Sequence, residues 1–60
     1  MMLLEFHAYG QKLVGEYRTP QDGMIDANQR LLWTNPKYYD GMWVDRGKNV
    51  YEWIGGNFFD

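Results

Sequence analysis

Glu5, His7 and Glu16 are the residues whose types and spacing could do proton or metal chemistry. Met2, Leu4, Phe6 and Ala8 alternate with Leu3, Glu5, His7 and Tyr9, the period of two expected of a strand with one buried face. A Gly10-Gln11 turn with glycine at its first central position would pair this strand with Lys12 to Arg18. Leu4, Phe6 and Ala8 would then face Tyr17, Gly15 and Leu13, and Glu5 would stand opposite Glu16 with His7 diagonally in reach. Two carboxylates beside an imidazole suit general acid–base work, but such a site needs a pocket, and a single small sheet rarely encloses one. The favoured reading is a solvated strand face on which His7 and Arg18 offset the carboxylates. With one histidine and no cysteine, neither a His cluster nor a thiolate zinc site can be assembled. No nucleophile–base arrangement, phosphate-cradling glycine loop or metal-spaced ligand set is present. Catalytic residues, metal and cofactor are therefore all expected to be absent.

The elements that would position these residues follow in chain order. Thr19-Pro20-Gln21-Asp22-Gly23 reads as a turn, because proline fixes φ and Asp-Gly favours positive φ. Met24 to Thr34 reads two ways. Met24, Ile25, Asn28, Leu31 and Leu32 fall near helical spacing, and Asp26 to Arg30 is an i,i+4 ion pair. Against a helix stand the preceding glycine and the weak helix formers Asp26 and Asn28. A second hairpin, Met24–Asp26 with Gln29–Thr34, is favoured, and a single helical turn around Asp26 is the alternative. Asn35-Pro36 ends that strand, and Lys37-Tyr38-Tyr39-Asp40 crosses to the rest of the chain.

Asp40 to Asp60 reads as a three-stranded meander, with runs rich in Trp, Val, Tyr, Ile and Phe between glycine-marked turns. A three-residue loop Arg46-Gly47-Lys48 sets Val44 opposite Val50 and places Trp43, Tyr51 and Trp53 on one face. The last turn is Gly55-Gly56, which puts Trp53 opposite Phe58, or Gly56-Asn57, which puts Ile54 opposite Phe59. The pattern of Asp40, Gly41, Trp43, Asp45, Asn49, Tyr51, Trp53, Gly55 and Phe58 resembles a Trp-rich β-hairpin module found in bacteriophage tail and other virion proteins. It departs from that module in ending on Phe58-Phe59. The resemblance implies a phage-type structural or accessory protein and brings no catalytic residue with it.

The fold expected is all-β: one domain over residues 1–60, a small antiparallel sheet of five to six short strands joined by hairpins, with a curl towards a small barrel as one option. A 60-residue chain buries only about 60% of the surface its unfolded form exposes. Without disulfides it must rely on dense aromatic packing or on assembly with other chains. Aromatic residues make up 18% of the chain, more than a thin core hides. The surplus predicts an interaction patch built from Tyr38, Tyr39, Trp43, Tyr51, Trp53 and Phe58, with core packing as the competing role for the tryptophans.

A net charge of −2 with the two signs interspersed gives no footprint for nucleic acid or an anionic membrane. Met1-Met2-Leu3-Leu4 runs straight into Glu5, with neither a basic leader nor a long apolar run, so the chain is expected in the cytoplasm or in a virion assembled there. The leading functional reading is a non-enzymatic, phage-type protein-interaction module that binds itself, as a homo-oligomer, or another protein. A small stoichiometric inhibitor of a host protein needs the same surface. A sugar-binding module with an aromatic stacking platform belongs to a different class.

Overall fold

The computed structural model describes residues 1–32 and 40–55. Strands β1 (Met2–Ala8) and β2 (Gln11–Tyr17) are followed by helix α1 (Pro20–Ala27), which runs on into one π-helical turn (Asn28–Leu32). Strands β3 (Gly41–Asp45) and β4 (Val50–Gly55) complete one four-stranded sheet in the order β2-β1-β4-β3. The two hairpins are antiparallel, and the inner strands β1 and β4 run parallel. The described chain is thus mostly β with one helix. Over the described residues, the expected sheet of five to six antiparallel strands is replaced by an open mixed sheet of four, not a barrel.

The largest correction falls on residues 19–32. Thr19 is extended (φ −139°, ψ 160°) and its hydroxyl accepts a hydrogen bond from the Asp22 N–H at 3.1 Å, so it caps a helix. Pro20 occupies the first turn, where its missing N–H costs nothing and its fixed φ already suits the helix. The same Thr-Pro pair read as a turn is therefore a helix start, and the hairpin Met24–Asp26/Gln29–Thr34 does not form over the described part of that range. The i,i+4 pair expected for a helix is present, with Arg30 Nε donating to Asp26 Oδ1 at 2.7 Å. Ala27, Leu31 and Leu32 are all buried, giving the helical segment the apolar contact that its weak propensity lacks.

Both hairpin registers differ from expectation by two residues. In the first, the turn is Tyr9-Gly10, with positive φ at both positions (51° and 79°) as a type I′ turn requires. Leu4 therefore faces Gly15, Phe6 faces Leu13 and Glu5 faces Val14, while Glu16 faces Leu3. Tyr9 tolerates its left-handed backbone in a position where its hydroxyl donates to the Gly55 carbonyl at 3.0 Å. In the second hairpin the loop extends over Arg46–Asn49. Gly47, Lys48 and Asn49 have positive φ, and the Asp45 carboxylate accepts from the Gly47 N–H at 2.7 Å. Val44 faces Glu52 instead of Val50, and Trp43 faces Trp53. A slip of two preserves which face each side chain takes.

The core lies between α1 and one face of the sheet: Leu4, Phe6, Ala8, Ala27, Leu31 and Leu32 are buried, with Met2, Leu13, Tyr17, Met24, Trp43, Tyr51 and Trp53 packed around them. Phe6 is its centre. Its ring meets Tyr17 and Trp43 edge-on, at centroid distances of 6.0 and 5.2 Å, and stacks on Tyr51 at 5.5 Å. The last turn and strand of the expected meander, with Phe58, and the crossing segment with Tyr38 and Tyr39 lie outside the described residues.

Candidate functional site

The chain folds so that helix and aromatics occupy one side of the sheet. Trp43, Tyr51 and Trp53 do share a face, as expected, and that face is the one beneath the helix. Trp43 and Trp53 meet edge-on at 5.1 Å, and Trp43 Nε1 donates to Asn28 Oδ1 at 2.8 Å, tying β3 to the π-helical turn. Trp53 Nε1 is buried with no hydrogen-bond partner among the described residues. The three rings are half-buried and packed on Phe6 or on one another, so no ring among them lies open as a stacking platform.

The other side of the sheet carries the residues with chemical potential. Reading across the strands, Lys12, His7, Glu52 and Val44 form one row; Val14, Glu5 and Val50 form the next; Glu16 and Leu3 pair towards one end and Ile54 and Met42 towards the other. Glu5 and His7, two residues apart on β1, point the same way, and His7 Nε2 contacts Glu5 Oε2. The Glu5–Glu16 carboxylate pair does not exist, because the register sets Val14 against Glu5. Glu52 is held by Arg46, whose Nε donates to it at 2.9 Å. A shallow cleft of about 290 Å³ opens beside His7, Lys12 and Glu52 at the β1–β2 turn. A Glu–His dyad can pass a proton, but no set of three metal-binding side chains accompanies it among the described residues.

A second polar cluster lies on the helix side. The Tyr17 hydroxyl donates to Asp26 Oδ2 at 2.8 Å while Arg30 donates to the other carboxylate oxygen. Arg30 first and Tyr17 second hold the Asp26 carboxyl below its ordinary range. Burial, with Asp26 beside it, pushes the Tyr17 hydroxyl up. These groups clamp α1 to β2, and their role is structural.

What pattern reading missed is the apolar content of the uncovered face. Leu3, Val14, Met42 and Ile54 are between 44% and 63% exposed there. The signal was present: each occupies a position alternating with the core, where a purely solvated sheet would carry polar side chains. No helix among the described residues is long and apolar enough to cross a membrane. Compared with protein-family models, curated proteins and solved structures, the chain matches none.

Proposed function

We propose that the chain is a non-enzymatic protein-interaction module of phage type, a virion component that binds itself or another protein. The observation that carries this is one-sidedness: a sheet with a helix on one face presents Leu3, Val14, Met42 and Ile54 on the other, interleaved with charged side chains. The phage assignment rests on the hairpin pattern from Asp40 to Phe58. Trp43, Tyr51 and Trp53 serve this surface from behind, as the rigid packing that holds β3 and β4 in place. The Glu5–His7 dyad has no partner nucleophile in this reading and acts as part of the solvated pattern. A balanced charge of −2 favours a protein partner over nucleic acid or an anionic membrane.

The test combines light scattering over a hundredfold range of concentration with retention of proteins from phage and host lysates. The wild type should self-associate or retain a protein, and a folded Met42→Glu, Ile54→Glu double variant should lose a protein held on the open face. A wild type that is monomeric throughout and retains nothing would overturn the proposal.

A further inference from the structure

The outer edge of β2 carries a pattern that specifies its own partner. Glu5 donates its N–H to the Asn49 carbonyl at 2.9 Å, towards the β4 side of β1. Its cross-strand neighbour Val14 therefore belongs to a pair not hydrogen-bonded within the β1–β2 hairpin. By the alternation of an antiparallel ladder, the N–H and C=O groups of Lys12, Val14 and Glu16 all point away from the sheet. No described strand pairs with them, and all three residues are exposed. Natural edges are usually blunted by proline, a bulge or shortness. β2 has seven residues, no proline and an unbroken register with β1.

We infer that β2 is a homodimer interface in which two copies pair their edges antiparallel about a two-fold axis through Val14, joining two four-stranded sheets into one. This deepens the self-association arm of the proposed function. In that register every outward N–H and C=O of Lys12, Val14 and Glu16 meets a partner group, because Val14 faces Val14 and Lys12 faces Glu16 of the second copy. Two Lys–Glu pairs then flank the axis on the open face. On the helix side, Leu13 falls opposite Gly15 of the second copy, over which the Tyr17 ring already lies: a Cβ on Gly15 would come within 2.8 Å of the Tyr17 hydroxyl. Leu13 thus meets the flank of that ring with no side chain of Gly15 in its way.

Neighbouring registers are penalised one by one. Placing the axis between residues, on either side of Val14, turns inward-bonded groups against outward ones and leaves the free amides unmatched, whereas centring it on Leu13 or Gly15 keeps the ladder in phase but sets Lys12 against Val14 or Val14 against Glu16, so that no Lys meets a Glu. Centring it on Lys12 or Glu16 sets like charges directly opposite, which is destabilising. Only Val14 satisfies hydrogen bonding and charge together, so the Lys and Glu that protect this edge from other strands become complementary when it meets its own copy. The shorter β3 edge, Gly41–Asp45, has no such symmetric charge pattern.

The charge swap tests the register. Lys12→Glu and Glu16→Lys, both at exposed sites, should each weaken dimerisation tenfold or more in sedimentation equilibrium, and the Lys12→Glu, Glu16→Lys double variant should restore it. In the wild type, amide hydrogen exchange at Lys12, Val14 and Glu16 should slow as concentration rises, while Leu13 and Gly15, bonded within the hairpin, should not change. A dimer indifferent to the single charge reversals, or not restored by the swap, would overturn this interface and leave the broader interaction reading intact. A wild type monomeric at all concentrations would also overturn it, and the broader reading would then stand or fall on retention of another protein.

Discussion

Adding one methyl group at Gly23 should destabilise the fold although the same change would stabilise an isolated helix. In a helix interior, glycine to alanine gains about 1 kcal/mol from backbone and propensity effects. Here a Cβ at residue 23 would lie 2.6 Å from Phe6 Cζ, 2.8 Å from Phe6 Cε2 and 3.1 Å from Tyr17 Cδ2, so the helix or the ring must retreat by roughly an ångström to reach ordinary carbon contact. Phe6 cannot move cheaply, because it is fully buried and Tyr17, Trp43 and Tyr51 hold it on three sides. Overpacking of this kind costs about 1–3 kcal/mol, and the rigidity of the ring cluster argues for the upper end. The net expectation is a loss of about 1–2 kcal/mol, lowering Tm by roughly 5–15 °C in a domain of this size. Urea and thermal unfolding followed by circular dichroism would measure it. The Gly23→Ala, Phe6→Leu double variant should lose less than the two single variants summed, since the smaller side chain yields the space. A Gly23→Ala protein as stable as the wild type, or more stable, would refute the claim that Phe6 sets the helix-to-sheet distance.

The two facing tryptophans should respond differently to phenylalanine: Trp43→Phe loses the bond to Asn28, whereas Trp53→Phe removes a buried N–H that has no partner among the described residues, so the first should cost about 1 kcal/mol more in urea unfolding. Trp43→Ala, which empties the space against Phe6 and Trp53, should cost about 3–5 kcal/mol and leave the chain unfolded by circular dichroism. Asp26 has a lowered folded pKa, so its contribution is present above its unfolded pKa and lost as pH falls through the folded one. Asp26→Asn should accordingly flatten the fall in urea midpoint between about pH 5 and pH 2. At Gly10, where a Cβ meets nothing within 4 Å, Gly10→Val should cost about 1–2 kcal/mol through its φ of +79° alone, and Gly10→Asn less, as read by thermal unfolding.

The faces of the sheet were legible and the registers were not, for one physical reason. Side-chain alternation assigns Phe6 and Ala8 to one side and Glu5 and His7 to the other, and it does so equally well in registers two residues apart. Turn chemistry decides between those registers, and the deciding residue in the first hairpin was Tyr9, whose left-handed backbone no propensity argument favours. The helix was hidden by ambiguity in residue meaning. Pro20 serves a turn or a helix start alike, and Gly23 looks like a breaker until Phe6 is seen pressing against it. The parallel pairing of β1 with β4 leaves no local trace at all. The candidate surface was half visible: apolar Leu3, Val14, Met42 and Ile54 stand out once their face is known, whereas Trp43, Tyr51 and Trp53 of the expected aromatic patch are half-buried against Phe6 and one another.

The parallel junction between β1 and β4 also fixes the order in which the molecule can assemble. Each hairpin closes through a short local loop and can form within microseconds. Glu5, Phe6 and His7 meet Val50, Tyr51 and Glu52 only after most of the chain has been gathered between them, and no tight turn can template that meeting. Phe6 and Tyr51, stacked across this junction, are therefore expected to make the contact through which the two hairpins dock. Weakening their contact should slow folding more than it speeds unfolding, whereas changes confined to the Arg46–Asn49 loop should leave the docking step nearly untouched.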